Sequence, residues 1–343
     1  MRFKRSIFGD LLEPISRRVF AATVARHDGD AYDKSFGSWQ HLVALIYAQL
    51  GRASSLRGLE AAWNADGHQH YHLGCGTLAR ATLADASKRR PPAIFAETFA
   101  QLAGLADRTL RRDGCAMIRL IDSSPIPLDQ LSDWGTSNGH FRGLKLHAAY
   151  DPHADHPGRV DITPANVNDV VIGATVSAEA GATCVFDKGY CNYAWWREIH
   201  AAQAFFVTRR KSNARFCVIG TRPLARAEGD GCTIVEDCEV ELASKGKDKN
   251  RPHLGFRLRR IEVRRDEAGP LSLLTNDMTR SAVEIAALYK LRWQIELLFR
   301  WLKQNLKLRR FLGRSENAVR LQIYAAMIAF VLLRLAARTQ NVT

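Results

Sequence analysis

Paired cysteines are missing from this chain. Its seven cysteines are scattered and odd in number, and none forms a Cys-x-x-Cys pair. A disulfide framework is not expected, and the usage suits a reducing compartment. The first residues, MRFKRSIFGDLLEPISRR, contain no signal-peptide apolar region. The most apolar run, Leu321 to Leu333, is shorter than the ~20 residues that span a bilayer and reads as a buried core helix. Acidic residues are scarce relative to basic ones. With 35 Asp and Glu against 49 Lys and Arg, the 343-residue chain carries a net charge of +14. Such a balance favours a polyanion partner, because neutralising phosphates releases counterions.

Histidine is present in one suggestive place. His68, His70 and His72 alternate ahead of Cys75. Structural zinc sites need four ligands in recognisable pairs. No second pair lies nearby, so zinc is not expected there.

Residues 1 to about 108 read as mostly helical. SWQHLVALIYAQL, Ser38 to Leu50, is amphipathic, with Ser38 placed to cap it. A helix follows from Ser54 to Trp63. Thr82 to Ala103 reads as a helical pair split at Pro91 and Pro92. The basic run Lys88, Arg89 and Arg90 at that split suggests a DNA-recognition module, with a solvated helix end as the alternative.

The pattern then changes to short apolar strands between helices, which predicts an α/β layer with a mixed central sheet. CAMIRLI, from Cys115, is expected to stop at Asp122-Ser123-Ser124-Pro125, leaving Asp122 at the strand tip. GLKLHAAY, Gly143 to Tyr150, is expected to pair with it, with Lys145 and His147 on one face. Val160 to Pro164 is a third strand, followed by a helix from about Val170. ATCVF, Ala182 to Phe186, ends at Asp187; a helix over Asn192 to Ala202 and a strand over Phe205 to Thr208 follow. Residues 213 to about 270 break this rhythm with alternating strand-like segments and a charged tip, SKGKDKNR, Ser244 to Arg251. They read as a β-rich insertion or as further strands of the main sheet. LSLL, Leu271 to Leu274, returns as a core strand.

Ser281 to Arg310 contains neither Gly nor Pro and is rich in good helix formers. Read as one helix at roughly 100° per residue, it puts Tyr289, Arg292, Glu296 and Lys303 on one narrow stripe. An apolar face lies beside them. Residues 280 to 320 carry ten Lys and Arg against three glutamates, Glu284, Glu296 and Glu316. A final helix spans Ala318 to Arg338. Aspartates at two strand ends, opposed by a helix glutamate, make an all-oxygen cage suited to a hard divalent cation. Each acid alone could equally be a turn, a cap or a paired surface group.

The Y-x2-R-x3-E-x6-K spacing of Tyr289, Arg292, Glu296 and Lys303, with LIDSS around Asp122 and VFDKGY around Asp187, resembles the DDE transposases of the insertion-sequence-four type. The likeness covers residues 115 to 335 and is looser before that. The resemblance implies an RNase H-like catalytic domain over residues 109–343. It also implies a β-rich insertion near 213–270, preceded by an all-α, DNA-binding region over 1–108. Asp122, Asp187 and Glu296 would be the catalytic acids and the ligands of two Mg²⁺ ions, with Mn²⁺ as a substitute. Tyr289, Arg292 and Lys303 would contact DNA phosphates. The implied partners are double-stranded DNA, as terminal inverted repeats and target, and a second copy of the chain in the DNA complex. The implied location is the bacterial cytoplasm, at the nucleoid. Trp293 and Trp301 could stack on a displaced base, although packing is the preferred reading. A nuclease that cuts without joining, and a DNA-binding regulator derived from an inactive transposase, use the same text and stay open.

Overall fold

The computed structural model describes residues 6–339 apart from 32, 34, 52, 68–69, 113–116, 130–131, 224–231, 243–253, 266–268 and 306–310. Cys115, His68 and the whole charged tip 244–251 therefore lie outside the described residues. The centre of the molecule is a mixed sheet. Strands β1 (Ile118–Pro127), β3 (Arg142–Asp151) and β4 (His156–Pro164) pair antiparallel, and a two-residue β2 (Thr136–Ser137) pairs with the start of β3. Strands β5 (Thr183–Phe186) and β6 (Phe205–Arg209) run parallel to β1 on its other side. Three antiparallel strands followed by two parallel ones, with helices on both faces, make an RNase H-like core.

The β-rich segment is present as expected, and it is continuous with this core. Strands β7 (Phe216–Thr221), β8 (Cys232–Leu242), β9 (Leu258–Arg265) and β10 (Leu271–Thr275) form an antiparallel set, and β10 pairs with β6. The result is one ten-stranded sheet.

One face carries a short helix, α8 (Asp169–Gly173), and α9 (Tyr193–Ala201), which seat Trp195 and Trp196 on Phe186 and Phe206. The other face is covered by helices from both ends of the chain. The N-terminal set is α1 (Ile7–Leu11), α2 (Arg17–Arg26), α3 (Ser38–Leu50), α4 (Leu56–Ala65), α5 (His70–Leu73), α6 (Arg80–Arg89) and α7 (Ala93–Arg112). The C-terminal set is α10 (Ala282–Lys290), α11 (Trp293–Asn305) and α12 (Glu316–Thr339). Helix α12 is long and apolar enough to cross a membrane by length and composition. Here it packs against α3, α6 and α7, with Leu321, Ile323, Met327 and Val331 fully buried. The N-terminal helices thus share one hydrophobic core with the sheet.

Three local expectations are corrected. Ser38 does not cap α3; Gly37 holds that position, and the Ser38 hydroxyl donates to Asp30 at 2.7 Å. Strand β1 does not stop at Asp122 but continues to Pro127 along β3. Its β5 partner ends at Phe186, so the rest of β1 has a free edge, where proline's missing N–H is tolerated. The 281–310 segment is not one helix. It starts with a capping box between Ser281 and Glu284 and breaks at Leu291–Arg292. There Leu291 bonds Leu288, Arg292 bonds Tyr289, and Gln294 bonds Leu291, the tighter i→i+3 pattern of a 3₁₀ turn. Residues 306–310 at its end lie outside the described residues.

Candidate active site

Asp122 follows Ile121, the last β1 residue paired with β5. Strand alternation puts it on the face of Leu120, which belongs to the core under α11. Asp187 leaves the end of the adjacent strand β5 in extended conformation and opens the short 3₁₀ turn Lys188–Tyr190. Glu296 sits in the first turn of α11. The strand ends and the helix therefore bring these three acids to one end of the sheet.

Arg292, in the turn between α10 and α11, joins two of them. Its Nη1 donates to Asp122 Oδ2 at 3.2 Å and its Nη2 to Glu296 Oε1 at 2.5 Å. Its Nε is buried without a hydrogen-bond partner. The Tyr289 hydroxyl donates to Asp187 Oδ1 at 3.2 Å, and the Tyr289 ring is buried. Two residues of the predicted stripe thus hold all three acids. The helix break is what turns Arg292 towards both partners. Lys303 lies on α11 two turns beyond Glu296 and is half-buried.

Electrostatics follow from this crowding. Burial pushes the Asp122 carboxyl up to about 6; the Ser123 N–H and Arg292 oppose the shift, and Glu296 and Asp187 add to it. Arg292 also moves upward, for a different reason. Burial works against its charge, but Tyr289, Asp122 and Glu296 outweigh burial and move it upward. Burial also raises the Tyr289 phenol. A set of mutually repelling oxygen donors fits a hard divalent cation. Among the described residues, no three His, Cys, Asp or Glu close into a ligand cluster. The donor chemistry fits the ion; Arg292 stands between two of the donors.

Other readings from the sequence divide. Lys145 and His147 share the far face of β3 and do not reach the acids. Lys145 Nζ donates to Val167 O and to Asp169 Oδ1, each at 3.0 Å, and His147 Nε2 pairs with Thr163 Oγ1 at 2.8 Å. Trp301 packs edge-on against Phe330, and Trp293 is 50% exposed with Arg300 over its ring, a packing contact at the surface. In the basic run, Arg90 is 2% exposed and tied to Asp33 and the Gly29 and Phe36 carbonyls, so it is a structural arginine. Lys88 and Arg89 remain exposed. His70 is buried and stacks on Trp63.

Two residues carry a signal that sequence reading left unused. Arg209 ends β6, whose Thr208 pairs with Phe186, so Arg209 leaves the sheet beside Asp187 and its charge reaches Tyr289. A basic residue one step past a parallel neighbour of the Asp187 strand was the available clue. Tyr190, three residues after Asp187, is buried. Burial, then Asp122, Asp169 and Asp187, raise its phenol.

Comparison with known proteins identifies the family. Residues 113–332 match the transposase DDE domain, and residues 4–76 match a domain of unknown function, DUF4372. The Sinorhizobium fredii protein y4zB, named as a transposase, is 59% identical over 261 residues, 76% of this chain and 72% of that protein. A Geobacillus stearothermophilus protein named as the transposase of insertion sequence element IS5377 is 29% identical, over 74% of this chain and 66% of its own length. A Synechocystis protein named for element IS4SA is 26% identical, over 76% and 72%. A piggyBac transposase chain from a synaptic complex with hairpin DNA aligns at 10% identity and a TM-score of 0.49, covering 100% of this chain and 79% of that one. With most of its length matched by that domain and a relative 59% identical over 76% of the chain, the chain belongs to the DDE transposase family.

Proposed function

We propose that the protein is the transposase of a bacterial insertion sequence of the insertion-sequence-four type. It binds the terminal inverted repeats of its element in the cytoplasm and catalyses metal-dependent cleavage and strand transfer. The supporting observation is the convergence of Asp122, Asp187 and Glu296 around Arg292 and Tyr289. The three carboxylates would hold Mg²⁺, two ions with Mn²⁺ as a substitute, which supplies activation of the attacking oxygen and stabilisation of the leaving oxygen.

The chain's own groups orient the DNA. Arg292 offers a planar fork for a phosphate, and Lys303 and Arg209 offer point and fork charges on either side. Tyr289 fixes Asp187 by its hydrogen bond and turns its ring towards the Arg292 guanidinium, 5.8 Å away. Asp122 stands on a sheet strand, Asp187 directly after the end of another and Glu296 on a packed helix, so the acids are carried by rigid elements. The helical region over 1–108 adds DNA contacts through the exposed Lys88 and Arg89. A second copy is required in the DNA complex because two element ends must be held together.

The test is end cleavage by the purified protein on DNA carrying the element end, with Mg²⁺, beside Glu296→Gln. Nicking at the end that disappears in the variant while DNA binding persists supports this reading. Binding without cleavage in both proteins overturns it. Joining of the cut end to a target duplex separates a transposase from a nuclease that only cuts.

A further inference from the structure

We propose that Arg292 is a latch: it closes the acidic site against divalent cations, and a DNA phosphate opens it. This rests on the reading of Asp122, Asp187 and Glu296 as the metal-binding acids, and it adds a regulation to that site.

The geometry is specific. One guanidinium spans two acids from different elements, Asp122 on β1 at 3.2 Å and Glu296 on α11 at 2.5 Å. Asp122 and Glu296 are two of the acids that would hold the cation, and the guanidinium occupies the space between their oxygens. The third acid, Asp187, is occupied by Tyr289, the residue over whose ring Arg292 lies. Metal and Arg292 are therefore alternatives at this spot. Arg292 is also poised to leave. It sits in a 3₁₀ turn between two helices, and its Nε–H is buried with no geometric acceptor among the described residues. An incoming phosphate brings several acceptor oxygens and a charge that compensates the guanidinium's loss of both carboxylates. The freed carboxylates, whose mutual repulsion Arg292 had relieved, then favour a divalent cation. DNA binding and metal loading become positively coupled, and by linkage the coupling is reciprocal. A device of this kind restrains an unbound nuclease until an end is seated.

The experiment measures metal affinity directly, by Mn²⁺ titration followed by electron paramagnetic resonance. It uses the full chain with and without a 5′-phosphorylated end duplex. In the wild type, DNA is expected to tighten Mn²⁺ binding roughly tenfold. In Arg292→Gln without DNA, Mn²⁺ binding is expected to be already tight, and the tightening by DNA to be largely lost. Arg334→Gln removes an equal charge from α12, where it pairs with Asp155, and is expected to keep the DNA-dependent tightening. The latch is overturned if Arg292→Gln binds Mn²⁺ no more tightly than the wild type, or if Arg334→Gln reproduces its effect. Asp122→Asn separates the two levels of the argument. If it leaves the DNA-bound protein's Mn²⁺ affinity unchanged, the assignment of the acids fails; if it abolishes that affinity and Arg292→Gln is inert, only the latch fails.

Discussion

Two of the arginines that hold carboxylates in this protein do so in opposite ways. Arg259 on β9 is 2% exposed and grips a single partner, Asp237 of β8, with Nε at 2.7 Å and Nη2 at 2.6 Å. Its remaining nitrogen donates to the Asp277 and Arg280 carbonyls, in the loop leading to α10. Arg292 divides itself between two acids, all three groups are 20–32% exposed, and one N–H has no acceptor. The first arrangement is complete and dry, so nothing is gained by exchanging a partner. The second is strained by like charges and half-open to water, so partners can be exchanged. Burial and satisfaction distinguish a staple from a site, although the residue types are the same.

The largest contrast is expected when the acid is removed. Asp237→Ala leaves Arg259 buried and uncompensated, and should cost about 3–5 kcal/mol in chemical denaturation. Asp122→Ala removes one of three repelling charges from a half-open site, and should shift stability by no more than about 1 kcal/mol. End cleavage should respond in reverse, falling at least about 10³-fold in Asp122→Ala. A stability loss at Asp122 equal to that at Asp237 would erase the distinction.

A double replacement sharpens it. Arg259→Met with Asp237→Leu fills the same interior with apolar atoms and should recover most of the stability lost in Asp237→Ala, since buried ion pairs can be replaced by packed hydrophobes. End cleavage by the double variant should stay within roughly threefold of wild type if the pair only staples β8, β9 and the approach to α10. That bound is about 0.7 kcal/mol on the barrier. A large loss of cleavage in a stable double variant would move Arg259 from the staple to the site.

Arg292→Lys probes the fork itself. Lysine keeps the charge and cannot contact two oxygens in one plane. End cleavage should fall about tenfold with little change in the denaturation midpoint, while DNA affinity at low salt should remain close to wild type. Unchanged cleavage would mean that only the charge at 292 matters.

How much of this was legible in the sequence depends on range. Asp187 was, because VFDKGY packs strand, acid and turn into six residues and every signal is local. The order of strands and the split of α6 from α7 at Pro91 were legible for the same reason. The extension of β1 past Asp122 was not, since Pro125 is a stop signal only when both edges of a strand are paired, and the free edge is created by the early end of β5. The break at Leu291–Arg292 was invisible because no Gly or Pro marks it. Arg90 misled for a similar reason: its partners, Asp33 and the carbonyls of Gly29 and Phe36, lie more than fifty residues away in the chain. Local chemistry is written in the sequence, and which edge or charge is left uncovered is decided by distant segments.

The smallest expected effect belongs to Tyr289→Phe. The ring is 8% exposed and belongs to the core between α10 and α11, and phenylalanine keeps that packing. What is lost is one hydrogen bond to Asp187, and at 3.2 Å it is long for a hydroxyl donor, which normally reaches an acceptor at about 2.7–2.8 Å. A bond of that quality is worth about 1 kcal/mol. End cleavage should therefore fall about fivefold, and stability should hardly move. Arg292 keeps both of its acids in this variant, so the DNA dependence of Mn²⁺ binding should also survive. Cleavage reduced as severely as in Asp122→Ala would show that the phenol acts on the DNA itself, and Tyr289 would then join Arg292 as a group that exchanges its carboxylate for a phosphate.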